Sequence, residues 1–220
     1  MLLLRVCAGC GGPGPSPCQQ CVAAMRTVGE MAPPEPLSGL WAVFAYTGPG
    51  RELVARLKYR NQRSSLKWLA SAMGNALPIG LPAETVTWAP TSPQRRRRRG
   101  FDQAELLARA LGREIGLPAL SLLKRVDAAG QTGRSRSQRF CAPAFESRRS
   151  PPSAVLVVDD VITTGATLQA AAKCLFREGI ERVDAVVAGA TPLPSSQQPP
   201  GVATMRSHNS TPVEREPPWT

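Results

Sequence analysis

Apolar positions along this chain fall into short continuous runs, alternating with longer stretches in which they recur every three or four residues. Residues 41–46, Trp-Ala-Val-Phe-Ala-Tyr, read as a short strand ended by Gly48-Pro49-Gly50. Helical spacing follows over 51–58 and again over 64–77. Thr85-Val86-Thr87-Trp88-Ala89 reads as a second strand, and a loop over 90–100 leads into a helix over 103–115. Asp102 with Glu105 three residues later is the pattern of a capped helix start. The aliphatic run 154–158 has the character of a strand buried on both faces of a parallel sheet. It ends in two acids and a glycine turn. A helix over 167–178 and a strand over 182–188 complete a β-loop-α-β unit, predicting an α/β fold whose parallel sheet is flanked by helices and joined by right-handed crossovers.

The ends of the chain are different. Residues 1–24 are rich in Gly, Pro and Cys and too poor in large apolar residues to build a core, so their order would depend on a metal. Residues 25–40 read as a linker centred on 31–36, residues 41–190 as the main domain, and 191–220 as a disordered tail. The sole histidine, His208, falls in that tail and reads as a solvated polar residue. No run approaches the roughly 18 apolar residues of a membrane helix, and Leu2-Leu3-Leu4 is too short for a signal-peptide core. The expected location is the cytoplasm, without membrane insertion. The three leucines would suit the end of a longer helix beginning upstream of Met1.

Charge and cysteines sharpen the picture. Lys and Arg number 27 against 16 acids, a formal charge of +11, which favours nucleic acid, a phosphorylated metabolite or a membrane surface as partner. Much of the excess is concentrated in five arginines at 95–99 and in the stretch 134–149. Cys7-x-x-Cys10 and Cys18-x-x-Cys21 form two chelating turns on a Gly/Pro-rich linker, which in a cytosolic chain points to tetrahedral zinc before disulfides. A closed four-cysteine site is structural; the bland alternative is four reduced thiols in a floppy arm. Cys141 and Cys174 lack partner spacing and read as buried fillers.

The densest chemistry lies in Val158-Asp159-Asp160-Val161-Ile162-Thr163-Thr164-Gly165-Ala166-Thr167. Amides at a helix start and the hydroxyls of Thr163, Thr164 and Thr167 can bind a phosphate dianion, and Gly165 with small Ala166 lets it approach. Asp159 and Asp160 would repel that phosphate and suit sugar hydroxyls or hydrated Mg²⁺ instead. A Walker A loop would need a Lys after the glycine, and none is present.

Residues 155–167 resemble the phosphoribosyl-diphosphate signature of type I phosphoribosyltransferases. From Cys7 to about Ala190 the chain is similar to the ComF family within that superfamily, associated with bacterial competence and DNA uptake. Supporting motifs are the paired Cys-x-x-Cys, Leu57-Lys58-Tyr59, Arg99-Gly100-Phe101-Asp102-Gln103-Ala104, Gln131 followed by Arg139, Ala144-Phe145 and the phosphate loop, in that order. Asp102 stands where the family usually has Asn, and Phe140-Cys141-Ala142 follow Arg139 where an Asn is usual. The resemblance implies an enzyme that binds phosphoribosyl diphosphate with Mg²⁺ and transfers ribose 5-phosphate to a nitrogen nucleophile, with Asp159 and Asp160 at the reacting sugar. It also implies that Arg98 or Arg99 contacts pyrophosphate, whereas the run taken alone reads as a solvated or nucleic-acid-facing surface loop. The rival function is a non-catalytic protein of DNA uptake or regulation, with single-stranded DNA or the uptake machinery as partner. Against a stacking platform for single strands, aromatic residues make up only 5% of the chain.

Overall fold

The computed structural model describes residues 5–60, 63–126, 144–147 and 152–192. Its main sheet contains β1 (Thr27–Met31), β2 (Gly39–Ala45), β3 (Thr85–Trp88), β6 (Ala154–Ile162) and β7 (Arg182–Ala190), in the order β1-β2-β7-β6-β3. All neighbours pair in parallel except β1, which lies antiparallel on the edge beside β2.

The central strands show why their sequences are apolar without interruption. Val155 and Val157 of β6 pack into one core with Leu168, Ala171 and Leu175 of α6 (Ala166–Arg177). The alternate residues, Leu156 and Val158, pack into a second core on the opposite face, formed with α2 (Gly48–Arg60), α3 (Leu66–Ala76) and α5 (Gln103–Ile115). Both sets are fully buried, so neither parity can be polar. Truncating Leu156 to Ala would cost about 2–5 kcal/mol by loss of transfer energy and the cavity left behind.

Several elements differ from the sequence expectation. Gly48-Pro49-Gly50 opens α2 instead of closing the strand before it, because a proline in the first helical turn forfeits an amide that has no partner there anyway. The segment 90–100 contains a helix, α4 (Pro93–Arg99). Ser92 Oγ accepts from Arg95 N at 3.3 Å, Pro93 opens the first turn, and Gly100 closes it in the left-handed region at φ 79°. The segment 25–40 carries β1, a five-residue edge strand whose interior Gly29 hides its pattern. β6 continues to Ile162, so both acids lie within the strand, Asp159 paired with Val187. A small antiparallel pair, β4 (Leu123–Val126) with β5 (Ala144–Ser147), was not foreseen and buries Leu123 and Phe145 against the α6 core. Helix α1 (Gln19–Ala23) belongs to the N-terminal cysteine segment.

Outside the described residues lie Met1 to Leu4, the motif residues Gln131 and Arg139, Cys141, most of the basic stretch 134–149, and 193–220 with His208. Cys174 is buried, as expected of a filler. Among the described residues no helix is long and apolar enough to cross a membrane.

Candidate phosphoribosyl site and cysteine centre

Strand β6 delivers two consecutive carboxylates to one end of the sheet. Asp160 is buried and its Oδ1 lies 2.8 Å from Lys58 Nζ of α2. Asp159 is half-buried, and its Oδ1 accepts from the Asp160 amide at 2.8 Å. Burial, and then the neighbouring Asp160 charge, push the Asp159 carboxyl well above its ordinary range, outweighing the Asp160 amide and Lys58. Asp159 therefore resists ionising without a cation beside it.

Past Ile162 the chain turns through Thr163, Thr164 and Gly165 into α6. Gly165 has φ 78°, and a Cβ there would stand 3.0 Å from Pro34 Cγ, so only glycine fits without strain. Thr164 Oγ1 accepts from Ala166 N at 3.4 Å. The turn and the first residues of α6 surround a hollow of about 30 Å³ lined by Thr163, Thr164, Gly165, Ala166 and Thr167, with Asp159 at its rim. No acid occupies the first turn of α6, leaving its positive end open to an anion.

This hollow adjoins a cleft of about 280 Å³ in which Asp159, Asp160, Thr163 and Thr167 face cations from other elements. Lys58 comes from α2, Arg95 and Arg99 from α4, and Arg125 from β4. Helical spacing puts Arg95 and Arg99 on the cleft side of α4, while Arg97 and Arg98 are exposed away from it. Of the expected Arg98 and Arg99, Arg99 lines the cleft and Arg98 does not; Arg95 lines it beside Arg99 because a helix, not an extended loop, carries the run. Arg96 reaches Glu105 at 3.6 Å. The Arg99 guanidinium stacks 5.0 Å from the Tyr59 ring, and its Nε is buried without a hydrogen-bond partner.

Asp102 lines the cleft too, but its oxygens are engaged by backbone: Oδ2 accepts from Thr91 N at 2.8 Å and Oδ1 from Ala104 N at 3.0 Å. It fastens the loop after β3 to the start of α5, and burial raises its pKa. Two lining residues were underweighted by sequence reasoning. Lys58 was visible only as part of a motif near a helix end, and Gln103 only as the residue after a cap; their meeting with the acids is tertiary.

At the N-terminus, the sulfurs of Cys7, Cys10, Cys18 and Cys21 all lie within 4.8 Å of one another. Cys7 and Cys21 Sγ are 3.7 Å apart and Cys10 and Cys18 Sγ 3.8 Å. Those separations match the edge of a tetrahedron built on Zn–S bonds of about 2.3 Å. The amides of Gly9 and Cys18 donate to Cys7 Sγ at 3.3 and 3.2 Å. Burial pushes that thiol up, but amide donation outweighs it and brings it to about 6. Burial and the surrounding sulfurs push Cys21 the other way. Four sulfurs packed this closely repel one another as thiolates, and a divalent cation between them offsets that repulsion. The four cysteines can hold a metal such as zinc.

The mostly parallel sheet flanked by helices, with paired acids and a threonine turn after β6, fits the type I phosphoribosyltransferase class. Residues 97–195 match the phosphoribosyl transferase domain. The competence protein ComFC of Bacillus subtilis is 28% identical over 143 residues, covering 63% of this chain and 58% of the relative. Competence protein F of Haemophilus influenzae is 33% identical over 153 residues, covering 63% and 66%. The DNA utilization protein YhgH of Salmonella typhi is 29% identical over 192 residues and covers 82% of each chain. The alignments thus span less than two thirds of the two competence relatives' own length. The chain belongs to the ComF family of the type I phosphoribosyltransferase superfamily.

Proposed function

We propose that this protein is a cytoplasmic enzyme that binds 5-phosphoribosyl diphosphate and transfers ribose 5-phosphate to a nitrogen nucleophile, releasing pyrophosphate. The observation that carries the reading is the opposition, across one cleft, of an acid pair with an adjoining threonine turn and the arginines of α4. In this reading Thr163, Thr164, Gly165, Ala166 and Thr167 hold the 5-phosphate by hydroxyls and helix-start amides. Asp159 and Asp160 accept from ribose hydroxyls and offset positive charge developing at the sugar as the glycosidic C–O bond breaks. Arg95 and Arg99 receive the departing pyrophosphate. Mg²⁺, arriving with the diphosphate, would be held by Asp159 with Asp160 and would neutralise the leaving group. A bound cation suits this pair because Lys58 already compensates Asp160 while Asp159 has no cation of its own in hydrogen-bond contact among the described residues. A second hollow of about 420 Å³ shares Pro90, Thr91, Asp102 and Arg125 with the cleft and offers room for the nucleophile. Zinc at the four cysteines is assigned a structural role.

The names of the competence and DNA-utilization relatives favour a second reading, in which the same site binds its ligand without turnover and the protein serves DNA uptake. The exposed Arg97 and Arg98 would then face DNA. Incubation with phosphoribosyl diphosphate, Mg²⁺ and a panel of nucleobases and amines separates the two: pyrophosphate release supports the enzyme, while Mg²⁺-dependent binding without release supports the second reading. In either, Thr164→Ala and Thr167→Ala should each weaken ribose 5-phosphate binding roughly ten- to a hundredfold, since each removes a hydrogen bond to a charged group. Unchanged affinity in both variants would place the phosphate elsewhere.

A further inference from the structure

Among the described residues, the buried side-chain atoms without a hydrogen-bond partner include Arg99 Nε and Gln103 Oε1, and both of these residues line the phosphoribosyl cleft. One is a donor and the other an acceptor, on either side of the Gly100 turn. Arg99 Nε suits an anion. Gln103 Oε1 cannot, because an acceptor facing phosphate would add repulsion.

Gln103 is the first residue of α5 and is 5% exposed. The helix start is already satisfied by Asp102, whose Oδ1 accepts from Ala104 N, so the glutamine is not needed as a cap. A Met or Leu would fill a similar volume without stranding a polar atom. An orphaned acceptor in a buried position is costly, and on a residue that lines a ligand cleft a ligand that brings a donor can satisfy it.

Resting on the phosphoribosyl reading above, we infer that Gln103 is a specificity-determining contact whose Oε1 accepts from a neutral donor of the bound substrates. Two groups carry such a donor: a ribose hydroxyl or the N–H of the attacking nucleophile. A site holding a buried unpaired acceptor discriminates strongly against substrates lacking the donor, because they leave the acceptor stranded.

The test is Gln103→Met, with Gln103→Leu as a second variant should the first not fold. Melting of the ligand-free protein should be unchanged or raised, since the variant removes a stranded acceptor. Calorimetry with inorganic phosphate should be unchanged, because phosphate uses the threonine turn. If the donor is a ribose hydroxyl, affinity for ribose 5-phosphate falls roughly ten- to a hundredfold. If it is the nucleophile's N–H, ribose 5-phosphate binds as before and KM for the nucleophile rises by a similar factor. Wild-type binding and turnover matched by the folded variant, or a lowered ligand-free melting point with affinities intact, overturns the role of Gln103 alone. Wild-type protein that binds no phosphoribosyl ligand overturns the underlying reading and this assignment with it.

Discussion

At the scale of single residues, the two adjacent acids are predicted to behave oppositely. A carboxyl whose folded pKa exceeds its unfolded value near 3.8 holds its proton more tightly in the folded state. Its contribution to stability is therefore present at low pH and lost as pH rises through the unfolded and then the raised folded value. Asp159→Asn removes that loss. Its melting temperature should match the wild type near pH 3.5 and exceed it increasingly towards pH 8. Asp160→Asn should do the reverse at neutral pH, because it strands the Lys58 ammonium, whose side chain is only 15% exposed, without its partner at 2.8 Å. A shift of several degrees is expected, each kcal/mol being worth about 2–4 °C in a chain of this size. Melts at pH 3.5, 5, 6.5 and 8 check both; identical curves for the two variants would refute the asymmetric environment. The groups facing Asp159 in this balance are Asp160, Lys58 and Asp102. The acids and threonines could be read from sequence because their chemistry is local, whereas Gln103 could not, since an unpaired atom is defined only by what surrounds it.

At the scale of elements, α4 turns a run of identical residues into two faces, one lining the cleft and one turned away from it. Arg95→Ser with Arg99→Ser should weaken Mg²⁺-dependent phosphoribosyl diphosphate binding by at least tenfold, each charge-assisted hydrogen bond contributing about 1.5–3 kcal/mol. Arg97→Ser with Arg98→Ser should leave that affinity within about twofold, as surface changes distant from a site ordinarily do. Calorimetry of the two double variants decides between the faces; equal losses would mean that α4 does not present the run as described. The signals for this helix were in the chain, with Ser92 and Pro93 before it and Gly100 after it, but polar residues throughout leave no apolar period to detect. Strands β1, β4 and β5 were missed for a related reason. Each has at most five residues, and their pairing partners, not their composition, make them strands.

At the scale of the whole molecule, the cysteine centre is joined to the cleft through α2. Ala8, between the first two cysteines, is fully buried in the same core as Leu53, Val54 and Leu57 of that helix. Arg56 Nη1 donates to the Cys7 carbonyl at 3.3 Å, and the residue after Leu57 is Lys58, the partner of Asp160. Among the described residues, the cysteine segment is therefore docked on the main domain through Ala8 and Cys7. Protein purified without chelator should carry close to one zinc per chain, and Cys10→Ser with Cys21→Ser should abolish it. Hydrogen exchange after metal removal should accelerate in α1 and α2 while α6, which packs on the opposite face of the sheet, keeps its protection. Full zinc content in the double variant would remove the four cysteines as ligands, and unchanged exchange in α2 would show the docking to be energetically idle.

The sequence by itself determined the parts that depend on near neighbours: the buried β6 strand, the Asp159-Asp160 pair and threonine turn that follow from it, the Asp102 cap, and the tetrahedral spacing of four cysteines. Periodicity, capping and chelate geometry all act over a few residues, so the chain spells them out. Only the tertiary structure decided which cations meet those acids. Lys58 comes from α2, Arg95 and Arg99 from α4 and Arg125 from β4, and the sheet order together with the packing of these elements brings them, with the neutral Gln103 of α5, into one cleft at the end of β6. Their convergence depends on burying both faces of one sheet, a condition that no local stretch of sequence expresses.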